Sequence, residues 1–210
     1  MAMLRKDIIP PVLVFVLFAG LYLTITLVNG SDFLFRPVWD IEHYRTIALR
    51  GYEVYPCDPA IHYPMGDICG NVGWFPAWPI ILKILSLGQV DFGLIYFPYL
   101  FALAGFVLLY RVLLDLADRK AALIGVIALA ATPGAFYYLT GFPYAFILFL
   151  FGLYLYYFYH PEARGRFYIL PIVALIFSLS YPSAFLAAII PVVSVIYRFR
   201  ADDSPRRVRE

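Results

Sequence analysis

The sequence predicts an all-α, polytopic transmembrane protein, and three observations support this fold class. Hydrophobic residues make up 63% of the chain and charged residues only 14%, with a mean hydropathy of +0.80. Six apolar segments are long enough, or nearly long enough, to cross a bilayer as helices. Basic residues concentrate in alternate loops between them. A water-soluble domain of this size needs a charged exterior that such a composition does not supply, so we expect lipid to be the solvent.

The six predicted spans differ in length, and a full crossing needs about 20 helical residues. They cover residues 8–28, 92–114, 121–139, 143–159, 168–180 and 184–197. The last three are short, so they would be tilted, or the pair around residues 180–183 would form a hairpin, because the residue before a proline avoids helical backbone. A seventh apolar stretch, residues 74–87, contains Pro76, Pro79 and Lys83, which favours an interfacial or re-entrant helix over a span.

The charge distribution predicts the orientation, because Lys and Arg accumulate in cytoplasmic loops. Six spans with both termini in the cytoplasm place twelve of the sixteen basic residues inside. We therefore predict one transmembrane domain over residues 1–210, with an extracytoplasmic loop carrying amphipathic helices at residues 29–91 and a basic cytoplasmic tail at residues 198–210. The residues predicted inside are Arg5, Lys6, Arg111, Arg119, Lys120, Arg164, Arg166, Arg198, Arg200, Arg206, Arg207 and Arg209.

The first span follows two basic residues, as a signal peptide would, but it lacks an Ala-x-Ala cleavage site and is long enough to span. We expect a retained anchor in a multi-pass protein of a prokaryotic plasma membrane or of the endoplasmic reticulum. Membrane lipids are the expected surroundings. Nucleic acid is not an expected partner, because topology alone explains the net charge of +2.

The predicted loop at residues 29–91 holds both cysteines of the chain, Cys57 and Cys69, and two of its three histidines, His43 and His62. In an oxidising compartment the cysteines can pair and close a small loop. Two free thiols are the alternative. Zinc is disfavoured, because only His62 lies between the cysteines and a structural site needs four ligands.

The segment WDIEHYRTIALRGY at residues 39–52 predicts an amphipathic helix within this loop. Helical spacing places Asp40, His43 and Tyr44 on one face, while Ile41, Ala48 and Leu49 can turn to the apolar side, and Gly51 suits the helix end. One interpretation is that Asp40 and His43 face a cavity. The alternative, which residue chemistry alone favours, is that Asp40 caps the helix start.

The same segment carries a resemblance to a known family. RPVWDIEHYRTIALRGY, followed by WFPAWPIILKIL at residues 74–85, is similar to the opening signature of the GT-C superfamily of membrane glycosyltransferases, and most similar to the GPI mannosyltransferase II (Pig-V type) family and its prokaryotic relatives. The segments at residues 131–149 and 179–185 resemble later family motifs, with Tyr144 where a glutamate is expected and Tyr181 where an arginine is expected.

The resemblance implies inverting transfer of a sugar, often mannose, from a polyprenyl-phosphate donor to an extracytoplasmic acceptor. Asp40 would act as general base toward the acceptor hydroxyl, and a divalent cation such as Mg or Mn would be its candidate cofactor. The leaving phosphate needs cationic stabilisation. The residues expected around the acceptor, the donor or the metal are Glu42, His43, Tyr44, Arg36, Arg45, Arg50 and Lys83, and the last four are the basic residues predicted outside.

The chain covers only the first half of the length usual in that family, which leaves three explanations. It can be a fragment, a half that needs a partner membrane subunit, or a non-catalytic membrane subunit that keeps a GT-C-like half fold. A transporter is disfavoured, because no predicted span carries an Asp, Glu, Lys or Arg more than about one turn from its end.

Overall fold

The computed structural model describes residues 2–32, 34–57, 68–160 and 162–182. The sixth predicted span, the basic tail at residues 198–210 and His62 lie outside these residues. The described chain is mostly helical, as predicted. Its α-helices are α1 (Ala2–Val28), α2 (Asp40–Arg50), α3 (Ala77–Leu85), α4 (Val90–Leu116), α5 (Arg119–Ala131), α6 (Tyr144–Tyr159) and α7 (Arg166–Ser178), with a 3-10 helix at Ala135–Leu139.

Helix α4 lies at the centre of the fold and packs against α1, α5 and, most extensively, α6. Its Phe106 ring contacts the rings of Phe15 and Phe18 on α1, each at a centroid distance of 5.8 Å. Glycines let α4 and α6 approach closely: a Cβ atom on Gly105 would lie 2.9 Å from Leu148 Cγ. This close helix contact at a small residue is made within the chain.

Gly105 provides a test of this packing. We expect Gly105→Ala to lower the free energy of unfolding by about 1–3 kcal/mol, because the new methyl group overlaps Leu148 in a packed contact. Gly20→Ala on α1 is the matched control, since nothing lies within 4 Å of a Cβ atom there. Thermal unfolding in detergent compares the two variants. Equal midpoints would contradict the close approach of α4 and α6.

Two helices are long and apolar enough to cross a membrane, judged by length and composition: Asp7–Val28 within α1, and α4. Only 17% of the most apolar window of α1 is buried inside the protein, so most of its apolar surface is available to lipid. Helices α5, α6 and α7 have 13, 16 and 13 residues. At about 1.5 Å per residue they are shorter than the roughly 30 Å of hydrocarbon, and six spans are not shown.

The predicted third span also ends early. Helix α5 stops at Ala131, and Thr132 has extended backbone (φ −65°, ψ 141°), as expected of a residue before a proline. Pro133 and Gly134 then lead into the 3-10 helix. The segment predicted as one helix over residues 121–139 is therefore a helix, a break and a second short helix.

The fold is not purely helical. Strands β1 (Val54–Pro56) and β2 (Ile68–Gly70) form a two-stranded antiparallel sheet that pairs Tyr55 with Cys69. Buried Asn71 joins this hairpin to the end of α2, because its Oδ1 accepts from Glu53 N at 2.8 Å and its Nδ2 donates to Gly51 O at 3.3 Å.

Candidate functional site

Helix α2 lies on the protein through one apolar face. Ile41, Tyr44, Ile47 and Ala48 are buried. The sequence predicts an apolar face with Ile41 and Ala48, but it places Tyr44 on the opposite face with Asp40, whereas Tyr44 is buried beside Ile41 and Ala48. Leu49 was predicted on the same side but is exposed, because it follows Ala48 by one residue and so turns about 100° away. Gly51 ends the helix at φ 92°, as predicted, and its N–H donates to Ile47 O.

Asp40 is the first residue of α2, and its side chain is exposed. Within the described residues it makes no hydrogen bond and no ion pair, and the N-cap position belongs to Trp39, which makes no side-chain capping bond. The predicted alternative, that Asp40 caps the helix, is therefore not the arrangement present. Trp39 has φ 52° and ψ −129°, an unfavourable backbone conformation for a bulky residue.

Buried Tyr44 lies one turn after Asp40, as the helical spacing predicts. Burial, and secondarily the nearby Asp40 carboxylate, raise the pKa of the Tyr44 hydroxyl well above its ordinary value. The start of α2 lies against the turn before α6, because a Cβ atom on Gly141 would lie 2.9 Å from Ile41, the residue after Asp40. The Tyr144 hydroxyl lies 3.4 Å from the hydroxyl of Tyr181, and their ring centroids are 5.6 Å apart. We call Tyr144 and Tyr181 the tyrosine pair.

A small cavity of about 260 Å³ adjoins this pair, and we call it the tyrosine cavity. The break between α5 and α6 shapes it, because both the backbone around Pro133 and the 3-10 helix contribute to its wall. Tyr137 stands beside Tyr144 with ring centroids 5.5 Å apart. The lining residues are Thr132, Gly134, Tyr137, Tyr138 and Tyr144.

An apolar groove of about 500 Å³ lies between α1 and α5. It reaches Ala131, and the next residue, Thr132, lines the tyrosine cavity. Ring contacts connect the groove with the tyrosine cavity: Tyr22 in the groove contacts Phe136, which contacts Tyr137 of the cavity at a centroid distance of 4.1 Å. The groove is lined by Val14, Leu17, Phe18, Leu21, Tyr22, Ile127, Ala130 and Ala131.

The predicted site residue His43 lies against Trp74. Its ring is half-buried and stacks on Trp74, with centroids 3.8 Å apart and planes inclined by 23°. Tyr52 fastens the same region, because its hydroxyl donates to Trp74 O at 2.7 Å. His43 therefore holds α2 to the segment that precedes α3.

The predicted basic residues fall into two groups. Arg45 donates to both carboxylate oxygens of Asp91, at 2.5 and 3.1 Å, and also to Glu42, while Arg36 pairs with Asp32. The hydrogen bond to Asp91 raises the pKa of the Arg45 guanidinium above its ordinary value. The other two, Arg50 and Lys83, are exposed and make no ion pair with any residue that the structure describes.

Cys57 and Cys69 form a disulfide, one of the alternatives that the sequence leaves open, with Cα atoms 4.9 Å apart. We expect the double variant Cys57→Ser/Cys69→Ser to speed amide exchange in residues 51–57 and 68–74. A disulfide that closes a loop of this length stabilises the folded state by up to about 3 kcal/mol, because it restricts the unfolded chain. Hydrogen exchange read by mass spectrometry measures this, with α4 as the internal control. Unchanged exchange in the hairpin would show that the bond is dispensable there.

Helix α3 fixes the relative positions of these elements. Fully buried Trp78 donates from Nε1 to Gly141 O at 2.9 Å, and Ala77 N donates to Leu179 O at 3.0 Å. A Cβ atom on Gly141 would lie 2.9 Å from both Ile41 and Leu94, so only glycine lets the turn before α6 meet α2 and α4 this closely. The segment predicted as an interfacial or re-entrant helix thus joins α2, the start of α6 and the end of α7.

The divalent cation implied by the resemblance has no evident ligand set in the described part of the chain. No group of three or more His, Cys, Asp or Glu side chains that could hold a metal ion occurs there. Asp40 and Glu42 are near each other in sequence, but Glu42 binds Arg45 and His43 stacks on Trp74. We therefore derive no chemical step through a metal.

No known protein family matches the chain, and no curated protein or solved structure is similar to it. The site therefore stands on its own geometry. That geometry places Tyr44 one turn after Asp40 on α2 and stacks His43 on Trp74. Sequence reasoning missed the tyrosine cavity, although the Phe-Tyr-Tyr run after Pro133 was a signal, since a tyrosine supplies both an apolar ring and a hydroxyl.

Proposed function

We propose that the protein is a membrane glycosyltransferase, or half of one, that moves a sugar from a polyprenyl-phosphate donor to an acceptor hydroxyl. One observation carries the proposal. The Asp40 carboxylate is exposed and makes no hydrogen bond or ion pair within the described residues. The start of its helix lies against the turn before α6, where Tyr144 lines a small cavity, since a Cβ atom on Gly141 would lie 2.9 Å from Ile41. A carboxylate with free lone pairs beside a cavity can act as a general base.

The proposed reaction uses Asp40 to take the proton from the acceptor hydroxyl. The acceptor oxygen forms the new bond to the anomeric carbon as the bond from that carbon to the phosphate oxygen breaks, with inversion. The electron pair leaves on the polyprenyl phosphate, which needs no proton but does need positive charge nearby. Arg50 and Lys83 are the two predicted basic residues without an ion-pair partner in the described chain, so they are our candidates for this role.

The apolar groove between α1 and α5 supports a lipid-linked donor. Such a donor has a long hydrocarbon chain attached to a polar head, so it needs an apolar surface that continues into a polar cavity. The groove ends at Ala131, directly before Thr132 of the tyrosine cavity. In this proposal the isoprenoid chain lies in the groove, and the sugar at the far side of the phosphate reaches the cavity.

The full topology is part of the proposal. We infer six spans, both termini in the cytoplasm, and α2 with the hairpin on the extracytoplasmic side of a prokaryotic plasma membrane or the endoplasmic reticulum. The concentration of twelve of the sixteen basic residues on one side supports this orientation. The disulfide is consistent with it, because such bonds persist in oxidising compartments.

A non-catalytic membrane subunit is the second candidate, and a specific observation favours it. Arg36 and Arg45, two of the four basic residues available to a leaving phosphate, are already paired with carboxylates. A catalytic site that lacks positive charge could be completed by a partner membrane subunit or could be inactive.

The experiment is a transfer assay on the full chain, purified gently in detergent together with any companion that mass spectrometry identifies. Polyprenyl-phosphate hexoses labelled in the sugar are the donors, and nucleotide sugars are the comparison. We expect labelled sugar to appear on an acceptor, with polyprenyl phosphate released in equal amount. A stoichiometric companion with no transfer from any polyprenyl-phosphate hexose would overturn the enzyme and leave the structural subunit.

A further inference from the structure

We propose that the tyrosine cavity binds the neutral ring of a hexose and that the tyrosine pair holds its hydroxyl groups beside Asp40. This inference rests on the sugar transfer proposed above and assigns the sugar to a particular part of the fold. Its starting point is the juxtaposition of the cavity with the paired Tyr144 and Tyr181 hydroxyls. The start of α2, which carries Asp40, lies against the turn before Tyr144, since a Cβ atom on Gly141 would lie 2.9 Å from Ile41.

Size restricts the ligand. The cavity volume of about 260 Å³ lies just below the roughly 300 Å³ at which pockets for drug-sized ligands begin. It is therefore suited to one small ring and not to an oligosaccharide or a lipid chain. The neighbouring apolar groove, at about 500 Å³, is the larger space.

Charge restricts it further. Among the residues that the structure describes, no basic side chain lines the cavity. A phosphate would find no cationic side chain among these lining residues, so we expect the ligand to be neutral.

The side chains present suit a sugar. A tyrosine supplies an apolar ring and a hydroxyl that donates one hydrogen bond and accepts others. A hexose offers the complement, with C–H groups on its faces and hydroxyl groups on its edge. Tyr137 and Tyr144 stand 5.5 Å apart, centroid to centroid, and Thr132 adds a further hydroxyl at the wall. The Tyr144 and Tyr181 hydroxyls, at 3.4 Å, make a long bond that a sugar hydroxyl can replace.

Gly134 offers a way to close the cavity without breaking the fold. It has ordinary backbone angles (φ −87°, ψ 3°), and a Cβ atom there would meet only Tyr137 Cδ2, at 3.8 Å. Gly134→Leu should therefore fill the cavity while leaving every hydroxyl in place. Gly20→Leu is its control, in open space on α1. Tyr144→Phe and Tyr181→Phe remove the hydroxyls alone, and Tyr159→Phe at the other end of α6 is their control.

The test measures binding of methyl hexopyranosides to the full chain, together with any companions that purify with it, in phospholipid nanodiscs free of sugar-based detergents. Saturation-transfer NMR is the readout. We expect hexoside binding, lost at least tenfold in Gly134→Leu and weakened about threefold to tenfold in Tyr144→Phe and Tyr181→Phe, as one hydrogen bond is worth. The control variants should bind as the wild type does.

Three results would overturn the inference: no hexoside binding, binding that Gly134→Leu leaves unchanged, or binding of inorganic phosphate in place of hexoside. The outcome is separable from that of the proposed function, because binding needs no turnover. Hexoside binding that Gly134→Leu abolishes, without sugar transfer, would support the hexose site and contradict the proposed transferase activity. Sugar transfer, with hexoside binding that Gly134→Leu leaves unchanged, would support the transferase activity and contradict the hexose site.

Discussion

Replacing Trp78 with alanine is expected to destabilise the protein by about 3–5 kcal/mol, the usual cost of removing a large buried aromatic side chain. Trp78 is fully buried, and its ring packs against Phe101 and Phe146 at centroid distances of 6.0 and 5.5 Å. Its Nε1 also holds Gly141 O. The variant should therefore loosen the turn before α6, and with it Tyr144, as well as lower the midpoint of thermal unfolding.

Two further variants separate the causes. Trp78→Phe keeps a buried ring but leaves the Gly141 carbonyl without its donor, which should cost about 1–3 kcal/mol. Ile80→Ala is the matched control, because Ile80 is on the same helix and half of its surface is exposed, so its truncation leaves no closed cavity. If Trp78→Ala unfolded at the same temperature as Ile80→Ala, α3 would not be the helix that fixes α2, the start of α6 and the end of α7 relative to one another.

The sequence predicts the apolar helices well because their signal is long. The predicted span at residues 92–114 is found as α4, Val90–Leu116, and residues 143–159 as α6, Tyr144–Tyr159. The third predicted span was wrong beyond Ala131. Apolar residues continue on both sides of the break, and hydropathy alone does not detect the change in backbone geometry that Pro133 causes. The β-hairpin was missed because each strand has only three residues.

The site is less predictable, because it depends on contacts between distant segments. Helical spacing was enough to place Tyr44 beside Asp40. It could not show that His43 stacks on Trp74, 31 positions later, or that Arg45 binds Asp91, 46 positions later. Tyr144 and Tyr181 appeared in the sequence only as substitutions for charged family residues. Their hydroxyl contact across 37 positions becomes visible once α6 and the end of α7 are packed together.

Asp40→Asn has the largest expected effect on activity. Asparagine keeps the size of the side chain but cannot take a proton, and a positioned general base contributes about 10²–10⁴-fold to rate. We expect kcat to fall by that factor with little change in KM, because the acceptor and donor contacts remain. Stability should hardly change, since Asp40 is exposed and makes no hydrogen bond or ion pair with the residues described. Glu53→Gln is the control, a second acid of the same loop.

The decisive measurement is the single-turnover rate of labelled sugar transfer from a polyprenyl-phosphate hexose, taken for the wild type, Asp40→Asn and Glu53→Gln in identical preparations that retain every companion. A general base at Asp40 predicts that the wild type and Glu53→Gln transfer sugar at similar rates and that Asp40→Asn is at least 100-fold slower. Transfer at the wild-type rate by Asp40→Asn would contradict the assignment of Asp40 and require another residue as the base.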